Sequence, residues 1–250
     1  MSPYPTAIGM CADVKVLKKK AAETAVDRFI KDGMVVGLGT GSTAYYAILR
    51  IAELVSKKGF NITCVATSEA SASLARENGL KVVDISEVEA IDVTIDGADE
   101  VDPNMNLIKG LGGALLREKI VAAATIKEVI IVDESKLVDC LGTKAPLPVE
   151  VVRFGHSKTA FALRAQGSEP VLRMSGDVPF VTDGGNYIYD CRFPEGISKG
   201  FFLQAAIDSI PGVVECGMFL NMTAAVVIAH SDGKVEVREA PVSEGIPTFR

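Results

Sequence analysis

A glycine-rich turn separates a short apolar run from a helical pattern in the stretch Met34-Val-Val-Gly-Leu-Gly-Thr-Gly-Ser-Thr43. The apolar run has the length of a buried strand, and residues 43–57 repeat apolar side chains at helical spacing. Glycines let the chain turn tightly and let backbone N–H groups point at a ligand. The stretch therefore predicts a strand, a ligand-binding turn and a helix in direct succession.

Strands and helices continue to alternate on both sides of this turn. Strands are predicted at 62–66, 81–84, 91–95 and 129–132, and helices at 14–32, 70–77 and 113–125. Several of the strands are apolar throughout, which is typical of a parallel sheet that helices cover on both faces. We therefore predict an α/β fold with a Rossmann-like, mostly parallel sheet.

The pattern changes after residues 141–148, which contain one glycine and two prolines. The following elements are predicted as strand, helix, strand, strand, helix and strand, at 149–153, 157–166, 171–174, 187–192, 200–209 and 213–219. This order is that of the ferredoxin-like α+β unit. We predict a smaller domain of this kind at 146–215, inserted into a Rossmann-like catalytic domain that consists of residues 1–145 and 216–250, with its last strands at 224–229 and 235–238.

The composition excludes several classes of protein. The chain has 250 residues with 26 Lys and Arg against 32 Asp and Glu, so it lacks the basic excess of a nucleic-acid-binding protein. No apolar run approaches the about 18 residues of a membrane helix, and residues 1–20 lack the pattern of a secretory signal. We expect a cytoplasmic protein that binds neither nucleic acid nor membrane.

The cysteines and histidines argue against a metal centre. The five cysteines are scattered and never form a C-x-x-C pair, so we expect small core residues rather than a zinc site or a disulfide framework. Their positions are Cys11, Cys64, Cys140, Cys191 and Cys216. With only His156 and His230 available, a histidine-rich metal site is excluded, and we expect neither metal nor cofactor.

The glycine-rich turn has the features of a phosphate cradle, because a helix N-terminus offers free N–H groups and the positive end of a dipole. The hydroxyl groups of Thr40, Ser42 and Thr43 add donors. A Walker A loop is excluded, since no Gly-Lys-Ser or Gly-Lys-Thr occurs. A dinucleotide and a purely structural turn stay open as alternatives to a phosphate monoester, although the acidic residue that would bind a ribose is missing near Ser68.

An acidic turn, Asp96-Gly-Ala-Asp-Glu-Val-Asp102, follows the predicted strand 91–95 at the sheet edge where open α/β proteins bind ligands. A calcium loop is excluded, because a loop that starts at Asp96 has Leu107 at the twelfth position and one that starts at Asp92 has Pro103 there. A solvated acidic turn without a ligand remains the alternative.

Glu118 lies on an apolar helix stripe after the segment Lys109-Gly-Leu-Gly-Gly113. Its neighbours one turn away include Leu115 and Val121, so its carboxyl group is expected to be desolvated and its pKa raised. That suits a general base near neutral pH. The alternative is a surface glutamate flanked by basic residues, and periodicity alone does not decide between them.

Together these motifs place a phosphate cradle, aspartates, a lysine and a glutamate at one edge of one sheet. This set best supports proton transfer next to the carbonyl group of a phosphorylated metabolite. A carboxylate would take the carbon-bound proton, and a lysine would offset the charge on the developing enediolate.

Four motifs in this order resemble the type A ribose-5-phosphate isomerases, over about residues 14–240. They are the glycine-rich turn, Asp96–Asp102, Lys109–Lys119 and Pro146-Leu-Pro-Val-Glu-Val151. The resemblance implies interconversion of D-ribose 5-phosphate and D-ribulose 5-phosphate through an enediolate, without a metal, in the non-oxidative branch of the pentose phosphate pathway. It also implies a Rossmann-like domain with a ferredoxin-like smaller domain, and a homodimer or homotetramer.

The resemblance implies a role for each matching residue. Glu118 matches the residue that moves a proton between C1 and C2, and Asp96 an aspartate associated with ring opening. Asp99 and Lys109 match residues that hold the reacting hydroxyls and the enediolate oxygen. The implied substrate-binding residues are Thr40, Gly41, Ser42, Thr43, Gly97, Ala98, Gly110, Leu111, Gly112, Lys136 and Lys19.

Three other functions remain as alternatives. An amino-sugar phosphate isomerase would convert hexosamine phosphates and release ammonia. A non-enzymatic sugar-phosphate sensor would bind its ligand without turnover, and a nicotinamide oxidoreductase would change the absorbance of its cofactor.

Overall fold

The structure, a computed structural model, describes residues 13–241. Its α-helices are α1 (Val14–Phe29), α2 (Ala44–Lys58), α3 (Glu69–Glu77), α4 (Leu115–Ala123), α5 (His156–Ala165) and α6 (Gly200–Asp208). Its strands are β1 (Val35–Leu38), β2 (Thr63–Ala66), β3 (Lys81–Val82), β4 (Ile91–Asp96), β5 (Glu100–Val101), β6 (Leu107–Ile108), β7 (Thr125–Asp133), β8 (Leu147–Val151), β9 (Glu169–Leu172), β10 (Met174–Ser175), β11 (Val178–Pro179), β12 (Tyr187–Arg192), β13 (Val213–Cys216), β14 (Met218–Phe219), β15 (Thr223–Ala229) and β16 (Val235–Glu239).

The largest sheet has seven strands in the order β16-β15-β7-β4-β1-β2-β3. All neighbouring strands run parallel except the edge pair β15 and β16. Helices α1, α2 and α3 share one buried apolar cluster on one face of the sheet, and α4 covers the other face. The predicted α/β fold with a mostly parallel sheet is confirmed.

A smaller sheet has four strands in the order β13-β8-β12-β9, and every neighbouring pair is antiparallel. Helices α5 and α6 contribute to the apolar cluster of this sheet. The alternation of strands and helices and the strand order are those of a ferredoxin-like unit. The domain bounds at 146 and 215 stay a prediction.

The predicted strand 213–219 is wrong as one element, because it divides at Gly217 between the smaller sheet and a three-stranded sheet of β14, β6 and β5. Gly217 N–H donates to Pro148 O at 2.7 Å, and Gly217 O accepts from Lys109 N–H at 2.9 Å. A Cβ atom at Gly217 would collide with Lys109 O and lie 3.0 Å from Pro148 Cδ. Only glycine therefore permits this close approach of three backbone segments.

The first helix ends earlier than the predicted 14–32, because Ile30 has extended backbone and Gly33 adopts a φ of +83°. Three of the predicted core cysteines, Cys64, Cys191 and Cys216, are buried, and burial raises the pKa of their thiols. Cys11 lies outside the described residues, and so does most of the segment 1–20, for which no secretory signal is predicted. No helix among residues 13–241 is long and apolar enough to cross a membrane.

Candidate active site

Asp96 ends β4 at the carboxyl edge of the sheet, next to the turn that follows β1. Its Oδ1 accepts hydrogen bonds from the backbone N–H groups of Thr40 at 3.0 Å and Gly97 at 2.7 Å. A Cβ atom at Gly39 would lie 2.5 Å from Asp96 Cα. The glycine-rich turn can therefore lie directly on the aspartate because it has no side chain at this position.

Lys109 is buried beneath this turn, with 2% of its side chain exposed. Its Nζ lies 3.0 Å from Asp96 Oδ2 and 3.6 Å from Glu118 Oε2, and it donates to Gly97 O. Burial alone would lower the pKa of Lys109, but the carboxylates of Asp96 and Glu118 outweigh burial and raise it. Lys109 is therefore a fixed, buried cation.

Glu118 lies in the first turn of α4, with 4% of its side chain exposed. Its Oε2 has no hydrogen-bond partner among the described residues. Burial raises the pKa of Glu118, Lys109 opposes the rise, and the charges of Asp96 and Asp99 add to it. A buried carboxylate with an oxygen that makes no hydrogen bond is a suitable proton acceptor.

Asp99 is half-buried in the acidic turn, and its Oδ2 accepts from the backbone N–H of Leu111 at 2.9 Å. Burial raises its pKa, while the Leu111 hydrogen bond and the charges of Lys109 and Lys136 lower it. The acidic turn is thus tied to the glycine-rich segment that precedes α4.

The turn before α2 presents hydroxyl groups beside the N-terminus of the helix. Thr40 Oγ1 lies 2.7 Å from Thr67 Oγ1, so this hydroxyl group is engaged within the protein. Ser42 Oγ accepts from Lys18 Nζ at 2.9 Å, and the Thr43 side chain makes no capping bond to α2. These donors form the end of the site that suits an anion.

The groups meet around one cavity of about 240 Å³. The predicted site residues that line it are Thr40, Gly41, Ser42, Thr43, Gly97, Ala98, Asp99, Lys109, Gly110, Gly112, Glu118 and Lys136. Asp96 does not line the cavity, but it contacts Lys109, which does. A larger cavity of about 1330 Å³ opens near Glu87, Asp92 and Ile126, where none of these candidate residues lies.

Besides Asp96, two residues predicted to bind substrate do not belong to the cavity lining. Lys19 is exposed, and its Nζ lies 3.7 Å from Glu23 Oε1, whereas the neighbouring Lys18 lines the cavity. The Leu111 side chain is 43% exposed, and only its backbone N–H joins the site. A sequence signal for Lys18 existed, because Lys18 stands three and four residues before the buried Ala21 and Ala22 and so continues the buried stripe of α1.

Comparisons with known proteins give one consistent result. The sequence profile of the family described as ribose 5-phosphate isomerase A (phosphoriboisomerase A) matches residues 63–233. The ribose-5-phosphate isomerase A of Gloeobacter violaceus is 51% identical over 226 residues, which cover 90% of this chain and 96% of that protein.

Solved structures agree with the sequence relatives. The ribose 5-phosphate isomerase of Plasmodium falciparum has a TM-score of 0.88 and 38% identity, covering 90% of this chain and 99% of that one. A D-ribose-5-phosphate isomerase in complex with phospho-erythronic acid has a TM-score of 0.87 and 39% identity, covering 91% of this chain and 100% of that one. The chain therefore belongs to the ribose 5-phosphate isomerase A family.

Proposed function

We propose that this protein interconverts ribose 5-phosphate and ribulose 5-phosphate, without a metal or another cofactor. The observation that carries the proposal is the buried carboxylate of Glu118, whose Oε2 makes no hydrogen bond with the described residues and lies 3.6 Å from the buried ammonium group of Lys109, in the wall of a cavity that ends at the glycine-rich turn. Family membership supports the same reaction, and so does the phosphorylated sugar acid held by a related isomerase.

In the proposed mechanism Glu118 removes the C2 proton of open-chain ribose 5-phosphate. The electrons of the C2–H bond form a C1–C2 double bond, and the carbonyl oxygen O1 becomes negative. The fixed charge of Lys109 stabilises this enediolate, because it needs no rearrangement when the charge develops. A proton then moves from O2 to O1, and Glu118 returns its proton to C1, which gives the ketose.

The aspartates are proposed to act on hydroxyl groups and on the lysine. The ring-opening role that the resemblance implies for Asp96 stays a prediction. Since the carboxylate of Asp96 accepts from two backbone N–H groups and contacts Lys109, we propose that it also fixes the ammonium group. Asp99 lines the cavity and is proposed to hold a reacting hydroxyl.

A first test measures ribulose 5-phosphate formation from ribose 5-phosphate in excess EDTA. We expect turnover by the wild type and a decrease of kcat by about 10²–10⁴-fold in Glu118→Gln, because the amide cannot accept the proton. Glu77→Gln, at an exposed helical glutamate, is the matched control and should keep full activity.

The outcomes of this test separate the alternatives. A folded wild type without turnover contradicts the proposed reaction, and assays with hexosamine phosphates and ligand-binding measurements would then follow. Loss of turnover in EDTA that is restored by a divalent metal contradicts the metal-free mechanism alone. Near-normal turnover in Glu118→Gln contradicts the assignment of the base.

The pKa of Glu118 gives a second prediction. Burial raises this pKa above the ordinary 4.5, so the carboxyl group should still be protonated at a pH where surface glutamates are ionised. As pH falls through the raised pKa, the base is lost and kcat/KM should fall. A carbon-13 NMR titration of the carboxyl groups checks this in the free protein, with Glu118→Gln to assign the signal. A titration at or below 4.5 would contradict the expectation.

The three lysines near the cavity should respond differently to removal. Lys18→Ala and Lys136→Ala should raise KM for ribose 5-phosphate with a smaller change in kcat, because both side chains line the cavity. Lys19→Ala is the matched control and should leave both constants unchanged, since this lysine faces Glu23. Steady-state kinetics of the three variants measure these effects. A raised KM in Lys19→Ala alone would show that Lys19, and not Lys18 or Lys136, binds the substrate.

We also propose that the protein is a homodimer or homotetramer. Four phenylalanines on or beside α5 and α6 are between 57% and 96% exposed, namely Phe154, Phe161, Phe201 and Phe202. Apolar side chains exposed in such number are typical of an interface between protein chains.

Light scattering tests the oligomeric state. The wild type should have the mass of two or four chains, and the double variant Phe154→Ser, Phe202→Ser a lower mass. Ile126→Ser, at an exposed apolar residue of β7, serves as the control and should keep the wild-type mass. A monomeric wild type would contradict the proposal. The cytoplasmic location stays a prediction.

A further inference from the structure

The segment Gly110–Gly113 forms part of the cavity wall and is held from the smaller sheet. Arg173, which lies between β9 and β10, donates from Nη1 to Gly110 O at 2.9 Å and to Leu111 O at 3.2 Å. The ring of Phe180 fills the space beside Gly113, where a Cβ atom would lie 2.8 Å from Phe180 Cε1. Both ends of the segment are therefore in contact with residues of 169–192.

The guanidinium group of Arg173 is itself fixed. Its Nε donates to Asp190 Oδ2 at 2.9 Å, and its Nη2 donates to Asp190 Oδ1, so the pair is bidentate. The backbone N–H of Arg173 donates to Ile188 O at 2.8 Å, and its carbonyl accepts from Phe180 N–H at 2.9 Å. These hydrogen bonds thus fix the orientation of the guanidinium group that donates to the cavity wall.

One peptide group joins Arg173 to Asp99. The carbonyl of Gly110 accepts from Arg173, and the N–H of Leu111, in the same planar peptide unit, donates to Asp99 Oδ2 at 2.9 Å. A cation on one side and a carboxylate on the other polarise this peptide in the same sense. A flip of the peptide would break both hydrogen bonds.

We infer that Arg173 is a positioning residue that holds Asp99 in place for the reaction through the Gly110–Leu111 peptide group. The expected effect on catalysis rests on the proposed function, whereas the expected effect on the Gly110–Leu111 peptide group does not. Arg173 does not line the cavity, so it acts on the substrate only through the segment that it holds.

The first measurement follows the amide hydrogen of Leu111 by NMR exchange in the intact protein. Arg173→Ala should exchange this hydrogen faster than the wild type, because the peptide group loses one of the two bonds that orient it. Arg192→Ala, at an exposed arginine of β12, is the matched control and should not change the rate. An unchanged rate in Arg173→Ala overturns the inference, whatever the protein catalyses.

The second measurement is a double-mutant cycle on kcat/KM for ribose 5-phosphate. Arg173→Ala should lower kcat/KM by about 10–100-fold, the range for a misplaced functional group, and much less in the background of Asp99→Asn. Equal decreases in both backgrounds overturn the inference, since Arg173 would then act independently of Asp99. An inactive wild type overturns the proposed function instead, and the exchange measurement still decides on Arg173.

Rescue separates positioning from general stability. Ethylguanidinium added to Arg173→Ala should restore part of the lost kcat/KM. Arg173→Lys should have a lower kcat/KM than the wild type, because one ammonium group cannot bond Asp190 in a bidentate way and also reach both carbonyl groups. If Arg173→Ala fails to fold, Arg173→Lys and Asp190→Asn replace it in both measurements. A folded Arg173→Lys with wild-type exchange and kinetics also overturns the inference.

Discussion

A lysine ammonium group removed from solvent needs opposite charges close to it, because an unpaired buried charge is far more costly than a paired one. In this protein Lys109 meets that need with Asp96 at 3.0 Å and Glu118 at 3.6 Å. The three side chains come from the end of β4, the segment after β6 and the first turn of α4. Each of these elements must arrive at the same point, so the ion cluster depends on the larger sheet, the three-stranded sheet and α4 together.

The two carboxylates of the cluster differ in their hydrogen bonds. Asp96 accepts two backbone hydrogen bonds besides the lysine, whereas Glu118 Oε2 has no hydrogen-bond partner among the described residues. Burial without hydrogen bonds favours the neutral form of a carboxyl group, and burial raises the pKa of Glu118. One cation thus contacts a carboxylate that backbone N–H groups hold on one side and a less constrained carboxyl group on the other.

Much of this arrangement is predictable from sequence, for a physical reason. The turn at 37–43 and the acidic turn at 96–102 both follow strands of one parallel sheet, so their side chains meet at its carboxyl edge. The sequence features that predict these positions are local in the chain. The apolar residues one helical turn from Glu118 leave a buried and a surface position open, and the structure shows the buried one.

The parts that sequence does not predict lack such a local signal. Strands β5, β6 and β14 have two residues each, too few for any periodicity, and Gly217 marks a break only because three backbone segments meet there. The choice between Lys18 and Lys19 is an exception, because Lys18 continues the buried stripe of α1 although it stands among three successive lysines. Arg173 contacts the cavity wall through the backbone carbonyl groups of residues 110 and 111. Because every residue has a carbonyl group, the residue types at these positions do not indicate the contacts.

The close approach at Gly217 has a consequence for how the chain can be divided. One backbone path runs from Pro148 O in the smaller sheet through the Gly217 residue to the N–H of Lys109. A chain without the smaller sheet would lose the Pro148 end of this path and with it part of the backbone support of Lys109. The smaller sheet thus takes part in positioning Lys109, although this lysine contacts carboxylates of the larger sheet and of α4.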